Sequence, residues 1–196
     1  MSQKRITLRP ESNALLVVDV QNDFCLGGTL AVPEGDAVVP VINSLLRKGR
    51  WKLTVATRDW HPADHCSFQE QGGPWPPHCV AGTRGAEFHR DLDRARIQKI
   101  VSKATSREKD AYSGFEGTEL RSLLREHGVT RMVVTGLATD YCVRATALDA
   151  RRDGLEVVLV TDAIRAVEVK PGDAKKALTE MKTAGVTLVS SGEILG

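Results

Sequence analysis

No run in this sequence approaches the roughly 20 consecutive apolar residues that cross a bilayer, so a membrane-spanning helix is not expected. The start of the chain lacks the apolar stretch of an export signal, which points to a cytoplasmic, reducing location. Charge of one sign is missing too: 27 Lys and Arg face 25 Asp and Glu, a formal net charge of +2. That balance offers nothing to a nucleic acid or a membrane surface as partner. The four cysteines, Cys25, Cys66, Cys79 and Cys142, form no CxxC pair, so neither a zinc knuckle nor a thioredoxin-type site is expected. Internal repeats, low-complexity tracts and linkers are also lacking. For 196 residues, one domain over 1–196 is the expectation.

What the sequence does have is alternation. Near-continuous Val, Leu and Ile at 14–19, 53–58, 98–102, 132–135, 157–161 and 186–189 predict strands covered on both faces. Between them Asp36 is expected to cap a helix with Val38, Val39, Ile42, Leu45 and Leu46 on one stripe. Pro40 falls in its first turn and Gly49 near its stop. Thr118 is expected to cap a helix over 119–127, ended by Gly128. A third helix runs from about 140 to 153, and Asp173 caps a fourth that ends near Gly185. This rhythm implies an α/β fold of three layers, a doubly wound and mostly parallel sheet with helices on both faces. Ligands in such folds bind at the carboxyl ends of the strands.

The residues just past those strand ends carry chemistry. Asp19 follows the apolar run Leu16-Val17-Val18, where poor solvation raises a carboxyl pKa and suits it to proton transfer. Lys103 ends Ile100-Val101-Ser102-Lys103 and could orient that carboxylate. Cys142 follows Val133-Val134-Thr135-Gly136 and a short turn, at the start of the next helix. Unpaired N–H groups there are expected to favour a thiolate and to bind an oxyanion.

The segment 60–93 interrupts the alternation and holds four of the five histidines and two of the three tryptophans. In Arg58-Asp59-Trp60-His61, Asp59 and His61 lie two apart on an extended chain, so both side chains face one way. His78 arrives on the stiff Trp75-Pro76-Pro77 approach. One carboxylate and two imidazoles suit one divalent metal ion, Zn, Fe or Mn. His65 is expected to support this set rather than join it, and His89 and His127 to serve packing or the surface. Aromatics make up only 5% of the chain, yet Phe24, Trp75 and Tyr112 stand beside these groups as walls for a flat aromatic substrate.

On these motifs the sequence resembles the nicotinamidase/pyrazinamidase branch of the isochorismatase-like cysteine hydrolases. The matching stretches are Val18-Asp19-Val20-Gln21-Asn22-Asp23-Phe24, Arg58-Asp59-Trp60-His61-Pro62, Trp75-Pro76-Pro77-His78-Cys79, Lys103, Tyr112-Ser113-Gly114-Phe115 and Gly136-Leu137-Ala138-Thr139-Asp140-Tyr141-Cys142. The resemblance implies a six-stranded sheet, a triad of Asp19, Lys103 and Cys142, and metal ligands Asp59, His61 and His78. It also implies a cis bond between Leu137 and Ala138 and an oxyanion hole from the N–H groups of Ala138 and Cys142. The implied reaction turns nicotinamide, and pyrazinamide, into the acid and ammonia through a cysteine thioester, in NAD salvage. In it the metal binds the pyridine nitrogen and positions the ring. The charged run 105–110 departs from the family pattern and lies where it could alter the entrance.

Two other readings stay open. A metal-free cysteine amidase acting on carbamoyl or ureido compounds would keep Asp19, Lys103 and Cys142 but have no use for the Asp59, His61 and His78 set. A non-catalytic binding module on the same fold would need none of them. The identity of the metal and the presence of a homo-oligomer are not legible in the sequence.

Overall fold

The computed structural model describes residues 5–195. The strands are β1 (Ile6–Thr7), β2 (Asn13–Val18), β3 (Leu53–Asp59), β4 (Lys99–Lys103), β5 (Arg131–Leu137), β6 (Glu156–Arg165), β7 (Thr187–Val189) and β8 (Ile194–Leu195). The helices are α1 (Val38–Lys48), α2 (Leu120–Glu126), α3 (Arg144–Arg152) and α4 (Asp173–Thr183). Six strands form one parallel sheet in the order β4-β3-β2-β5-β6-β7, while β1 and β8 pair separately. Every neighbouring pair in the large sheet is parallel, as crossover helices require.

Period-two alternation along β2 sorts its side chains to two cores. Leu15 and Val17 pack with Val38, Ile42 and Leu46 of α1 on one face. Ala14, Leu16 and Val18 pack with Leu120 and Leu124 of α2, Ala147 and Ala150 of α3, and Ala177 and Met181 of α4 on the other. Both faces are therefore covered, giving the three layers expected. Each fully buried Leu or Val contributes about 1.5–3 kcal/mol relative to exposure.

Chain order reverses between β2 and β5: β2, β3 and β4 are laid down in one direction, β5, β6 and β7 in the other. This is the switch point at which the loops leaving two adjacent strands part and open a crevice.

Most strand expectations hold within a residue or two, but the helix starts differ. Asp36 does not cap α1; it sits in a preceding 3₁₀ turn, and its carboxylate accepts from Leu26 N–H at 2.9 Å. The end of α1 at Gly49 and the buried stripe Val38, Val39, Ile42, Leu45 and Leu46 are as read. Thr118 lies one residue ahead of the cap position of α2, where its hydroxyl accepts from Leu120 N–H at 3.2 Å. Asp173 is the first residue of α4 rather than its cap, and its carboxylate accepts from Lys170 N–H at 3.0 Å. The helix expected from residue 140 starts instead as a wide π turn, Thr139–Val143, before α3. No described helix is long and apolar enough to cross a membrane.

Candidate active site

Four strands deliver their last residues to one place. Val18 pairs with Thr57 and with Gly136, and Asp59 pairs with Lys103, so the carboxyl ends of β2, β3, β4 and β5 are level. Asp19 follows β2 directly, with a left-handed φ of 47° that turns the chain out of the sheet. Gly136 allows β5 to pass close: at φ 107° it faces the Val18 backbone, where a Cβ would collide with the carbonyl. Beyond it comes the cis Leu137–Ala138 bond and then the π turn that holds Cys142.

At this edge Asp19, Lys103 and Cys142 meet. Lys103 Nζ lies 3.0 Å from Asp19 Oδ2 and 3.4 Å from Cys142 Sγ, and donates to the Ala111 carbonyl at 3.2 Å. It also donates to Asp59, a contact that joins the three groups to the second cluster. The Thr57 hydroxyl donates to Asp19 Oδ1 at 2.7 Å, which leaves Oδ2 for the ammonium and the thiol side. Asp19, Lys103 and Cys142 are all buried.

Burial sets the protonation of this cluster. Removal from water raises the Asp19 carboxyl above its usual range; Lys103 opposes that and Asp59 adds to it. Burial disfavours the Lys103 ammonium, but Asp19 and Asp59 outweigh it and hold that group well above its ordinary value. The Cys142 thiol is pushed well up by burial, with Lys103 pulling it back only in part. Burial thus works against the thiolate expected at a helix start, and Lys103 works for it. The arrangement sets the Cys142 sulfur beside a carboxyl whose basicity burial raises.

The second cluster is Asp59, His61 and His78, all buried, with one ligand atom of each within 4.8 Å of the others. Burial works against the Asp59 carboxylate, yet Lys103 and His61 hold it below the usual carboxylate range. His61 Nδ1 faces the Ala104 carbonyl at 3.2 Å and His78 Nδ1 faces the Pro76 carbonyl at 2.8 Å. A carbonyl fixes the proton on Nδ1 in each ring and leaves the Nε2 lone pair free. His61 Nε2 is buried without a hydrogen-bond partner and lies 3.7 Å from Asp59 Oδ2. An orphaned lone pair of this kind fits a cation. His65 is different. Its Nδ1 meets Ser67 Oγ at 2.7 Å, its Nε2 meets the Lys109 carbonyl at 3.3 Å, and its ring stacks on His61.

The aromatic residues fall beside these groups. The Phe24 ring centroid is 5.6 Å from that of His78, and Trp75 Nε1 donates to the Tyr112 hydroxyl at 3.0 Å. Tyr141, which its place in the sequence does not mark as an aromatic wall, packs against both Trp75 and Tyr112. Thr57 is a further residue of the site that no sequence motif marks. Its place beside Asp19 follows from the register of β2 on β3, for which its type and spacing give no signal. Asp140 buries a carboxylate that accepts from Val167 N–H at 3.0 Å and Glu168 N–H at 2.7 Å, pinning the π turn to the loop after β6. The charged run 105–110 docks by its backbone: the Arg107 carbonyl accepts from Cys66 N–H at 2.8 Å.

Fold and site together define a three-layer α/β protein with a thiol, an ammonium and a carboxyl at the switch point of its parallel sheet, beside an Asp/His/His cluster. The chain belongs to the isochorismatase-domain family, whose model matches residues 13–193. It is 46% identical to the nicotinamidase/pyrazinamidase of Mycobacterium tuberculosis over 91% of this chain and 98% of the relative. A PnC1 structure from L. infantum in complex with nicotinate superposes with a TM-score of 0.94 at 38% identity, covering 97% of this chain and 98% of that one. A Pyrococcus horikoshii pyrazinamidase in complex with zinc gives a TM-score of 0.85 at 54% identity, covering 91% and 99%.

Proposed function

We propose that the chain is a nicotinamidase: it hydrolyses nicotinamide, and pyrazinamide, to the corresponding acid and ammonia, as a single cytoplasmic domain. The observation that carries this reading is the meeting of Cys142, Lys103 and Asp19 within hydrogen-bond reach beside Asp59, His61 and His78. Likeness to relatives named for that activity supports it over most of the chain.

In this mechanism Asp19 takes the Cys142 proton as sulfur attacks the carboxamide carbon. Lys103 holds the Asp19 carboxylate in place and faces the sulfur as its charge develops. The carbonyl oxygen becomes an oxyanion received by the N–H groups of Ala138 and Cys142. Protonated Asp19 then gives its proton to the departing nitrogen, and ammonia leaves a thioester. Water, deprotonated by Asp19, attacks that thioester; the C–S bond breaks and the thiol regains its proton. Phe24, Trp75 and Tyr112 flank a flat ring, and Tyr141 extends that wall.

Asp59, His61 and His78 would hold one divalent ion, zinc, iron or manganese. Bound there, it supplies an acceptor for the ring nitrogen and so orients the substrate. A metal-free amidase for carbamoyl or ureido compounds has no use for two histidines with their Nε2 lone pairs held free. The experiment is ammonia release across nicotinamide, pyrazinamide and a carbamoyl panel, before and after chelation. The reading predicts turnover of the two ring amides, lost on chelation and restored by zinc or manganese. Turnover of carbamoyl compounds alone, unaffected by chelator, contradicts it.

A further inference from the structure

One further set of metal-ligating side chains converges among the described residues and shares no member with the proposed catalytic centre. Cys25, Asp36 and His89 each offer one ligand atom, all within 4.8 Å of one another. His89 Nε2 is 3.1 Å from Asp36 Oδ1. Metal bonds of about 2.0 Å to N and O and about 2.3 Å to S put tetrahedral neighbours roughly 3.3–3.5 Å apart, so small side-chain shifts complete the geometry. We propose that these three residues form a second metal site, for a divalent transition ion of the zinc class.

Three features support a built site. Each ligand is tied to the backbone by a hydrogen bond. Cys25 N–H donates to the Asn22 carbonyl at 3.1 Å, and His89 N–H donates to the Val20 carbonyl at 2.9 Å. The Asp36 carboxylate is held through its other oxygen by Leu26 N–H at 2.9 Å. Second, the ligands line a cavity of about 510 Å³ together with Gly27 and Gly28, so an ion can enter and a fourth position stays open to water. Third, the charges cancel: one thiolate and one carboxylate neutralise a divalent ion, which suits a centre with one fully buried ligand, Cys25.

Binding balances as follows. The Cys25 thiol gives its proton to solvent as the S–metal bond forms. The His89 ring proton moves from Nε2 to Nδ1, and the exposed Asp91 N–H now 3.2 Å from Nδ1 turns to water. The ion joins the loop bearing Cys25 and Asp36 to the segment bearing His89. Its role is to fasten the two segments, independently of substrate turnover.

The test uses cobalt(II) as the probe, because a thiolate ligand gives a near-ultraviolet charge-transfer band that Asp and His ligands do not. Titrations are run in Cys142→Ala protein, which removes the thiol whose sulfur lies within ligand distance of Asp59. The expected result is two cobalt ions per chain and a thiolate band that disappears in both Cys25→Ser and His89→Ala, each keeping one bound ion. His89 is partly exposed, so its variant serves even where Cys25→Ser fails to fold. A single ion per chain, no thiolate band, or a band that survives either substitution overturns the site. None of these outcomes depends on ammonia release, so the proposed activity stands or falls separately.

Discussion

Lys103 is the residue on which the catalytic cluster balances, because one ammonium faces two buried carboxyls and a thiol. Removing one partner of a buried ion pair leaves an uncompensated charge, a cost of about 3–5 kcal/mol. Lys103→Ala should therefore lower stability by roughly that amount in urea titration, as well as abolish turnover; an unchanged midpoint would show the cluster carries no such balance. The Cys142 thiol makes a pH prediction. Its folded value lies well above an ordinary thiol, so the thiolate fraction in metal-stripped protein stays small at neutral pH and grows only as pH rises through the alkaline range. Alkylation by iodoacetamide, mapped by peptide mass, should keep climbing at the Cys142 peptide in strongly alkaline buffer. A plateau by about pH 8 would contradict the burial argument. Asp19 and Lys103 were legible because each closes an apolar run with a polar group, and Cys142 because it follows a strand and a short turn at the start of a helix. Thr57 and Tyr141 were not, since their contacts depend on strand register and on how the 105–112 segment folds back.

At the scale of elements, Gly136 sets how closely β5 approaches β2 at the switch point. Its φ of 107° is open to glycine alone among ordinary residues, and a Cβ there meets the Val18 carbonyl. Gly136→Ala should destabilise the fold by about 2 kcal/mol or more and displace the Cys142 turn, read by denaturant midpoint and by loss of turnover. A fully active variant of unchanged midpoint would refute the close-packing account. The strands were readable because burial on both faces leaves long runs of Val, Leu and Ile with little else. Helix starts were less so. Asp36, Thr118 and Asp173 are all cap-type residues, but none stands at the cap position: Asp36 and Asp173 accept from loop N–H groups, and Thr118 reaches the first N–H of α2 from one residue further out. Local sequence offers the donor and the acceptor; the loop path decides which pair forms.

For the whole molecule, the reversal of strand order between β2 and β5 explains why groups from residues 19, 59, 103 and 142 share one site. The alternation of strands and helices gave the layers, and resemblance to a known family gave the site set, but neither spacing nor composition ordered the strands. The link between the two clusters, Lys103 to Asp59, appears only when β3 and β4 are paired. That link predicts cooperation. Metal loss leaves Asp59 paired with Lys103 and should raise KM for the ring amide more than it slows alkylation of Cys142 by iodoacetamide. Equal effects on the two would contradict the link.

The most direct test follows the carbonyl carbon of ¹³C-labelled nicotinaldehyde by NMR in zinc-loaded protein. Attack by the Cys142 sulfur converts that carbon from trigonal to tetrahedral, with a signal distinct from the free hydrate. The wild-type protein should show the new signal and Cys142→Ala should not. A bound aldehyde that stays trigonal in the wild type, or a tetrahedral adduct that persists in Cys142→Ala, would contradict the assignment of Cys142 as nucleophile.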